Sequence, residues 1–359
     1  MGSAFGEKRI NQKRMYDRER KRAENMKCRK NKLIRICLTA VLLCGFFAGC
    51  GERAADKNGE AITVRVGSLK GPTSMGLLFL MEEARQGETE NSYDFQMHNA
   101  ADELLLLMVK GELDVALLPA NVASVLYNRM DGGISVIDIN TLGVLYMVSG
   151  DSSVQTVADL QGKTIYLTGQ GTTPDYVLQY ILTENGLSEN DCTLEYKSEA
   201  TEVAALLAEN PEAIGLLPQP FATTALVQNT QLSVVLDMNE EWNRIQGENA
   251  GSMVTGVTVV RDDFLQKNQE LVETFLTEHA RSVEAINQDA DTGAVYTVGQ
   301  GIVGKEDIAA KAIPECNIVC VTGKEMKQAL SGYLSVLLEQ SAESVGGALP
   351  EEDFYYVSQ

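Results

Sequence analysis

The sequence predicts an α/β protein of two similar lobes with mainly parallel sheets, joined by a two-stranded hinge. Segments of strand type alternate with segments of helix type, which is typical of a parallel sheet covered by helices. A block of about a hundred residues occurs twice, and this period is much longer than that of a solenoid repeat. Extended segments near residues 143–150 and 252–258 connect the two copies. This layout suits hinge closure around a ligand.

The first part of the chain has the pattern of a signal peptide. Five cationic residues precede a 12-residue apolar segment, Ile36–Phe47, which is too short to cross a bilayer comfortably. Two small residues then separate this segment from Cys50. We expect residues 1–49 to be a signal peptide with an N-terminal extension, and translation to start at Met26. An uncleaved signal anchor is the alternative.

The four residues from Phe47 to Cys50, "FAGC", resemble a bacterial lipobox. Phe47 stands where that pattern prefers leucine. The resemblance implies cleavage before Cys50 and attachment of lipid, diacylglycerol and palmitate, to this residue. The chain would then be a lipoprotein on the extracytoplasmic face of the cell membrane, since several acyl chains anchor a protein firmly. Residues 50–60 are polar and small, and we interpret them as the lipid-anchored linker.

Charge is distributed unevenly along the chain. Residues 1–49 carry 13 Lys or Arg and 4 Asp or Glu, a net charge of +9, whereas the remainder carries −29. Such an acidic body repels phosphate, so we expect no nucleic acid as a partner.

Cysteine and histidine are too few to predict a cofactor or a metal site. Three cysteines follow Cys50, which cannot form a disulfide framework. The pair Cys316 and Cys320 has C-x₃-C spacing, but the two histidines, His98 and His279, lie far from it in the sequence. We therefore predict core or surface cysteines, no metal and no cofactor.

The repeat identifies equivalent positions in the two lobes. Each copy reads strand, turn, helix, strand, helix, strand. The turn after the first strand is rich in glycine and hydroxyl residues in both copies, and a proline ends the third strand. The aligned pairs are Gly71 with Gly171, Thr73 with Thr173 and Pro119 with Pro218.

These alignments set the predicted boundaries of the two lobes. Lobe one takes residues 61–148 and 253–359, because the C-terminal helices return to complete it. Lobe two takes residues 149–252.

Several segments in this order resemble a known family. They are "LKGPTSMG" from Leu69, "DLQGKTIYLTGQGTTPDYVLQYIL" from Asp159, "EVAALLAEN" and "GLLPQPFATT" in the second copy, and "VVRDDFLQKNQELVETFL" from Val259. Together they resemble substrate-binding lipoproteins of ABC transporters, of the SsuA/THI5-like (NMT1-like) family with the type II periplasmic-binding fold. The resemblance covers about residues 60–357.

The family implies an extracytoplasmic solute receptor of an ABC importer. Such a receptor captures a small organic molecule between its lobes and delivers it to permease and ATPase subunits. Family members bind sulfonates, pyrimidine or thiamine precursors and other small compounds, so the resemblance does not identify the ligand. We expect a monomer without enzymatic activity.

Ligands of open α/β sheets bind beyond the carboxyl ends of the strands. Both glycine-rich turns follow a first strand, and the starts of helices offer N–H donors with a partial positive charge. The alternative is that these turns only cap their own helices. The predicted ligand-binding residues in the turns are Lys70, Gly71, Pro72, Thr73, Ser74, Gln170, Gly171, Thr172 and Thr173. Those at other strand ends and on the first crossing are Asn99, Pro119, Ala120, Asn121, Tyr146, Gln219 and Phe221.

Two other functions remain open from the sequence. One is a pyrimidine-precursor biosynthetic enzyme of the THI5-like type, although the cysteine-rich motif of that branch is missing here. The other is a lipoprotein that senses a ligand for a membrane receptor. The chain also lacks a G-x-S-x-G nucleophile motif. Lys70 is the only cation in the two turns, so we favour a neutral or zwitterionic heteroaromatic ligand over a sulfonate.

Overall fold

A computed structural model describes residues 62–188, 190–247 and 252–357. The predictions for the signal peptide, Cys50 and the linker lie outside these residues. Within the described part of the chain, every helix is too short or too polar to cross a membrane.

Strands and helices alternate through the first two thirds of the described chain, and helices dominate the last third. The strands are β1 (Thr63–Leu69), β2 (Ser92–His98), β3 (Val115–Pro119), β4 (Ile134–Leu142), β5 (Leu145–Ser149), β6 (Thr164–Thr168), β7 (Thr193–Lys197), β8 (Ile214–Pro218), β9 (Ser233–Asp237), β10 (Val254–Arg261) and β11 (Ile318–Val321). The helices are α1 (Pro72–Met75), α2 (Leu78–Gln86), α3 (Ala101–Lys110), α4 (Ala120–Met130), α5 (Thr173–Glu184), α6 (Ala200–Glu209), α7 (Phe221–Gln228), α8 (Met238–Gln246), α9 (Asp262–Lys267), α10 (Gln269–Gln288), α11 (Ala290–Gly299), α12 (Glu306–Ala312) and α13 (Gly323–Gln340).

The strands form two sheets with matching topology. The first sheet has the order β11-β4-β10-β3-β1-β2, and the second has the order β7-β6-β8-β5-β9. With β11 set aside, β1, β2, β3 and β4 take the places in the first sheet that β6, β7, β8 and β9 take in the second. The remaining place is filled by β10 in the first sheet and by β5 in the second. Each of these strands enters from the other lobe. The duplication predicted from the sequence is thus the duplication of a sheet.

Each sheet has a parallel core of three strands, as predicted. In lobe one β1 pairs in parallel with β2 and β3, with Val66 opposite Phe95. In lobe two β6 pairs in parallel with β7 and β8, with Ile165 opposite Leu194. The crossing strands β10 and β5 run antiparallel to their neighbours, because each enters its sheet from the side of the other lobe.

The first crossing is shorter than predicted. β4 ends at Leu142 in the first sheet and β5 begins at Leu145 in the second, so the boundary predicted at residue 148 moves to Gly143 and Val144. A side chain at Gly143 would place Cβ 2.2 Å from Cε of Met253. The two crossings therefore pack against each other where only glycine fits.

The second crossing contains a helix that the sequence analysis did not predict there. β9 leads into α8, which begins with Asp237 accepting hydrogen bonds from the amides of Asn239 and Glu240. Trp242 of this helix is fully buried between Tyr180 and Tyr333, at ring-centroid distances of 4.9 and 5.4 Å. The single tryptophan therefore belongs to the core that α13 shares with lobe two, not to a ligand site.

Helix α10, near the C-terminal end of the chain, packs on the first sheet. Phe275 of α10 is fully buried in one cluster with Val64 and Val66 of β1 and Val115 of β3. Helix α3 also buries one apolar face: Leu104 and Met108 are four residues apart, and both face the core. Burial of such apolar side chains is the main contribution to the stability of each layer.

Candidate functional site

A cavity of about 350 Å³ lies between the two lobes. It is bounded by the ends of β3 and β8, by both crossings and by the starts of α4 and α5. The lining residues are Pro119, Asn121, Val122, Val144, Leu145, Thr172, Thr173, Pro174, Pro218, Met253 and Thr255. None of these described lining residues carries a charge. We call this space the inter-lobe cavity.

Two helices from opposite lobes begin at the inter-lobe cavity. α4 starts directly after Pro119, and α5 starts directly after Thr172. Neither N-cap residue, Pro119 nor Thr172, forms a side-chain cap, which leaves the N–H groups of the two first turns to other acceptors, except at Pro174, which has none. Across the cavity, Oγ1 of Thr173 donates to Oδ1 of Asn121 at 3.2 Å. This contact shows that the predicted residues Asn121 and Thr173 meet although they belong to different lobes.

The turn of lobe two, residues 170–174, is polarised by a buried carboxylate. Oδ2 of Asp175 accepts from the amide of Gly171 at 2.8 Å. Its Oδ1 accepts from Tyr196 and from Gln179, each at 2.7 Å. Asp175 is only 3% exposed and is the third residue of α5. Its negative charge therefore lies close to the start of α5 and offsets the positive helix end. The lobe-two turn is therefore poorly suited to a strong anion.

The turn of lobe one, residues 70–74, is bonded to its own strand. The Ser74 hydroxyl is fully buried, donates to the carbonyl of Leu69 and lies at hydrogen-bond distance, 2.8 Å, from Oγ of Ser68. Oγ1 of Thr73 lies 3.4 Å from the same carbonyl. These two hydroxyls therefore tie the turn to β1, and no side-chain cap forms at the start of α1, so they do not cap their own helix as the alternative supposed. Neither residue lines the inter-lobe cavity.

A second cavity of about 440 Å³ brings together two other predicted residues, Tyr146 and Gln219. The Tyr146 hydroxyl donates to the carbonyl of Glu315 at 2.8 Å. Burial raises the pKa of Tyr146, and neighbouring acids including Asp237 add to this effect. Oε1 of Gln219 accepts from the Thr223 hydroxyl at 2.9 Å. Both predicted side chains are thus already engaged with protein groups.

The remaining predicted residues lie outside the linings of these two cavities. Lys70, Asn99, Gln170 and Gly171 are exposed, Gly71, Pro72 and Phe221 are half-buried, and Ala120 is buried in the core. Gly171 has φ 69°, a left-handed conformation that favours glycine. Its role is therefore explained by the turn itself, and contact with a ligand stays a prediction.

Several residues that line the inter-lobe cavity were missed by the sequence analysis. Pro218 is not one of them, because the duplication already placed it at the strand end equivalent to that of Pro119. Val144, Met253 and Thr255 come from the two crossings. No sequence motif marks them, because their position depends on how the crossings pack against each other.

The described fold matches solved structures of periplasmic binding proteins. An ABC transporter protein from Parabacteroides distasonis superimposes with a TM-score of 0.69 at 22% identity, covering 83% of this chain and 99% of that one. The periplasmic aliphatic sulphonate-binding protein SsuA from Escherichia coli gives a TM-score of 0.63 at 14% identity, covering 83% and 94%. The alkanesulfonate-binding protein SsuA from Xanthomonas axonopodis, bound to MOPS, gives 0.57 at 16% identity, covering 81% and 96%.

Sequence comparison gives a consistent result. No curated protein matches the chain. Residues 133–292 match the family described as NMT1/THI5 like, a stretch that includes all of lobe two and both crossings. These findings confirm the predicted resemblance to the NMT1/THI5-like family and the two-lobed fold of periplasmic binding proteins.

Proposed function

We propose that this protein is an extracytoplasmic solute receptor of an ABC importer. The observation that carries the proposal is the inter-lobe cavity, to which β3 and α4 of lobe one, α5 and β8 of lobe two and both crossings contribute. A solute bound there contacts both lobes at once and so stabilises the closed arrangement over an open one. Delivery to a permease and its ATPase is the function that this arrangement serves in an importer.

The lining of the inter-lobe cavity supports an uncharged or zwitterionic solute with an apolar body. Proline, valine, leucine and methionine side chains supply most of the surface, and hydroxyl and carboxamide groups supply the polar contacts. Among the described lining residues none is a Lys or Arg that could pair with a sulfonate. The Asp175 carboxylate behind the start of α5 also disfavours an anion. A small heteroaromatic compound such as a pyrimidine fits these requirements.

A thermal-shift panel tests the proposal. The full chain is heated with uncharged pyrimidines and nucleobases, with amino-acid derivatives and with alkanesulfonates. A solute at 100 times its Kd adds about 2.7 kcal/mol to the free energy of unfolding, which raises the midpoint measurably. We expect a pyrimidine or related neutral compound to give the largest shift, and to be recovered unchanged after incubation. Turnover of the compound would support the biosynthetic alternative, and no shift from any class would contradict a receptor of this kind.

The lipid anchor is the second part of the proposal. Cys50 follows two small residues and an apolar segment, and thioether-linked lipid on this residue would hold the receptor beside its permease. We expect the full chain, expressed in a bacterium with labelled palmitate, to carry the label and to have lost its leader, and Cys50→Ser to carry no label and to have a higher mass from the retained leader. Cys192→Ser, in which a distant buried cysteine is replaced, is the control. Lipid label and an unchanged mass in Cys50→Ser would contradict the anchor.

A further inference from the structure

Three side chains with metal-binding chemistry converge inside lobe one, away from the inter-lobe cavity. Asp138 comes from β4, His279 from α10 and Cys320 from β11. One potential ligand atom from each lies within 4.8 Å of the other two. Asp138 and His279 are fully buried, and Cys320 is partly buried. The sequence predicts no metal because neither histidine is near Cys316 and Cys320 along the chain, whereas the fold assembles ligands from distant positions.

Hydrogen bonds hold the carboxylate of Asp138 in a defined orientation. Its Oδ1 accepts from the Thr258 hydroxyl at 2.8 Å, and Thr258 in turn accepts from Nδ2 of Asn140 at 3.2 Å. The other oxygen, Oδ2, lies 3.2 Å from Nδ1 of His279. One carboxylate oxygen is therefore fixed by a second layer of groups while the other faces the imidazole. Outer groups that orient a ligating carboxylate are a regular feature of metal sites.

The surroundings of His279 indicate which edge of its ring has a polar function. No described group forms a hydrogen bond with Nε2, although this atom is buried. On that side the ring packs against Gly76, where an added Cβ would lie 3.1 Å from Nε2 and 3.0 Å from a methyl of Val283. The only polar environment that the described residues offer the imidazole is thus at Nδ1, the edge that faces Asp138.

The spacing of these groups fits a tetrahedral ion. Nitrogen and oxygen ligands of Zn²⁺ lie about 2.0–2.2 Å from the metal, so two of them are about 3.3 Å apart in a tetrahedron. The observed separation of Nδ1 and Oδ2 is 3.2 Å. A thiolate bond of about 2.3 Å completes the third position after a shift of roughly an ångström by the Cys320 side chain. One carboxylate and one thiolate also neutralise a divalent charge, which suits a buried site.

A surface cavity borders the cluster at Cys320. Its volume is about 390 Å³, and Cys320 lines it together with Ile137, Leu276, Thr277, Ala280, Thr322, Gly323 and Tyr356. None of these described residues lines the inter-lobe cavity. The thiol of Cys320 is therefore the member of the cluster that an ion from solvent would meet first, and its proton can leave by the same route.

We propose that Asp138, His279 and Cys320 bind one divalent transition-metal ion of borderline softness, such as Zn²⁺, with an open position towards the surface cavity. The site is separate from the solute site and does not depend on the proposed transport function. Its mixed carboxylate, imidazole and thiolate donors favour Zn²⁺ or Co²⁺ over Mg²⁺ and Ca²⁺, which prefer oxygen ligands.

Cobalt titration tests the site because thiolate-bound Co²⁺ gives a charge-transfer absorption band that oxygen-bound Co²⁺ does not. The full chain is stripped with a chelator and titrated with Co²⁺ under reducing conditions. We expect the absorbance of this band to saturate at one Co²⁺ per chain and to disappear when Zn²⁺ is added. The band should be absent in Cys320→Ala and in Asp138→Asn. Cys192→Ala, which removes a buried cysteine of lobe two, should retain it. Thr258→Val should weaken Co²⁺ binding about 10–100-fold, as expected when a group that orients a ligand is lost.

The cysteines before residue 51 could also bind Co²⁺, and they are present in every variant. The test therefore compares the band of each variant with that of the wild type. Circular dichroism shows whether each variant is folded, and Cys320→Ser replaces Cys320→Ala if the latter is not. An unchanged band in a folded Cys320 variant would overturn the proposal. So would a wild-type chain that takes up no stoichiometric Co²⁺.

Discussion

The two glycine-rich turns have the same place in their sheets but use their polar groups differently. In lobe one the hydroxyls of residues 73 and 74 point back to the preceding strand, with Ser74 fully buried. In lobe two Thr172 and Thr173 line the inter-lobe cavity, and a buried acid, Asp175, holds the turn. Duplication has therefore preserved the backbone layout while the two turns have taken different roles. In lobe one, the end of β3 and the start of α4 line the inter-lobe cavity, and the glycine-rich turn does not.

The largest effect should come from the acid that distinguishes the lobe-two turn. Asp175→Asn keeps the size of the side chain but weakens the bonds from Gly171, Gln179 and Tyr196. Hydrogen bonds to a charged group contribute about 1.5–3 kcal/mol, and denaturant unfolding should show a loss of that order. The variant should also bind alkanesulfonates better than the wild type, because a negative charge beside α5 is gone.

Glu184→Gln is the matched control for Asp175→Asn, since it removes an exposed acid at the other end of the same helix. It should leave both stability and sulfonate binding close to those of the wild type. Equal effects of the two substitutions would mean that general charge, not the position of Asp175, controls the turn.

A smaller loss of stability is expected in the lobe-one turn. Ser74→Ala removes two hydrogen bonds inside the core, to Ser68 and Leu69, and should cost about 1 kcal/mol in the free energy of unfolding. Solute affinity, measured by calorimetry with the best compound of the thermal-shift panel, should be unchanged. Ser152→Ala at an exposed position is the control. Weakened affinity in a stable Ser74→Ala protein would restore the lobe-one turn as part of the solute site.

The smallest effect is expected for Thr73→Val, which keeps the shape of the side chain. Its hydroxyl lies 3.4 Å from the Leu69 carbonyl, at the long limit for a hydrogen bond. We expect stability and solute affinity to change by less than about 0.5 kcal/mol. A larger loss of affinity would show that the two turns are functionally alike after all.

The fold was predictable because its signals are local or repeated. Strand and helix periodicity showed the alternation, and the aligned prolines Pro119 and Pro218 showed that the sheet is duplicated. The site was predictable only in part. Whether a threonine in such a turn faces a cavity or its own strand depends on packing several residues away, as Thr73 and Thr173 demonstrate.

The proposed metal site could not be predicted from the sequence for the same reason, because its residues meet only in the folded chain. Asp138, His279 and Cys320 come from three separate elements, so spacing along the chain contains no sign of them. Tertiary structure alone brings these groups together.

If solute binds between the lobes beside Thr173, a side chain that fills this space should prevent binding. Thr173→Trp places a large ring in a cavity of about 350 Å³, and Thr183→Trp adds the same ring at an exposed position on the same helix. Calorimetry with the best compound of the panel should show at least a tenfold loss of affinity for Thr173→Trp and none for Thr183→Trp, with both proteins folded. Undiminished binding by a folded Thr173→Trp protein would contradict the account.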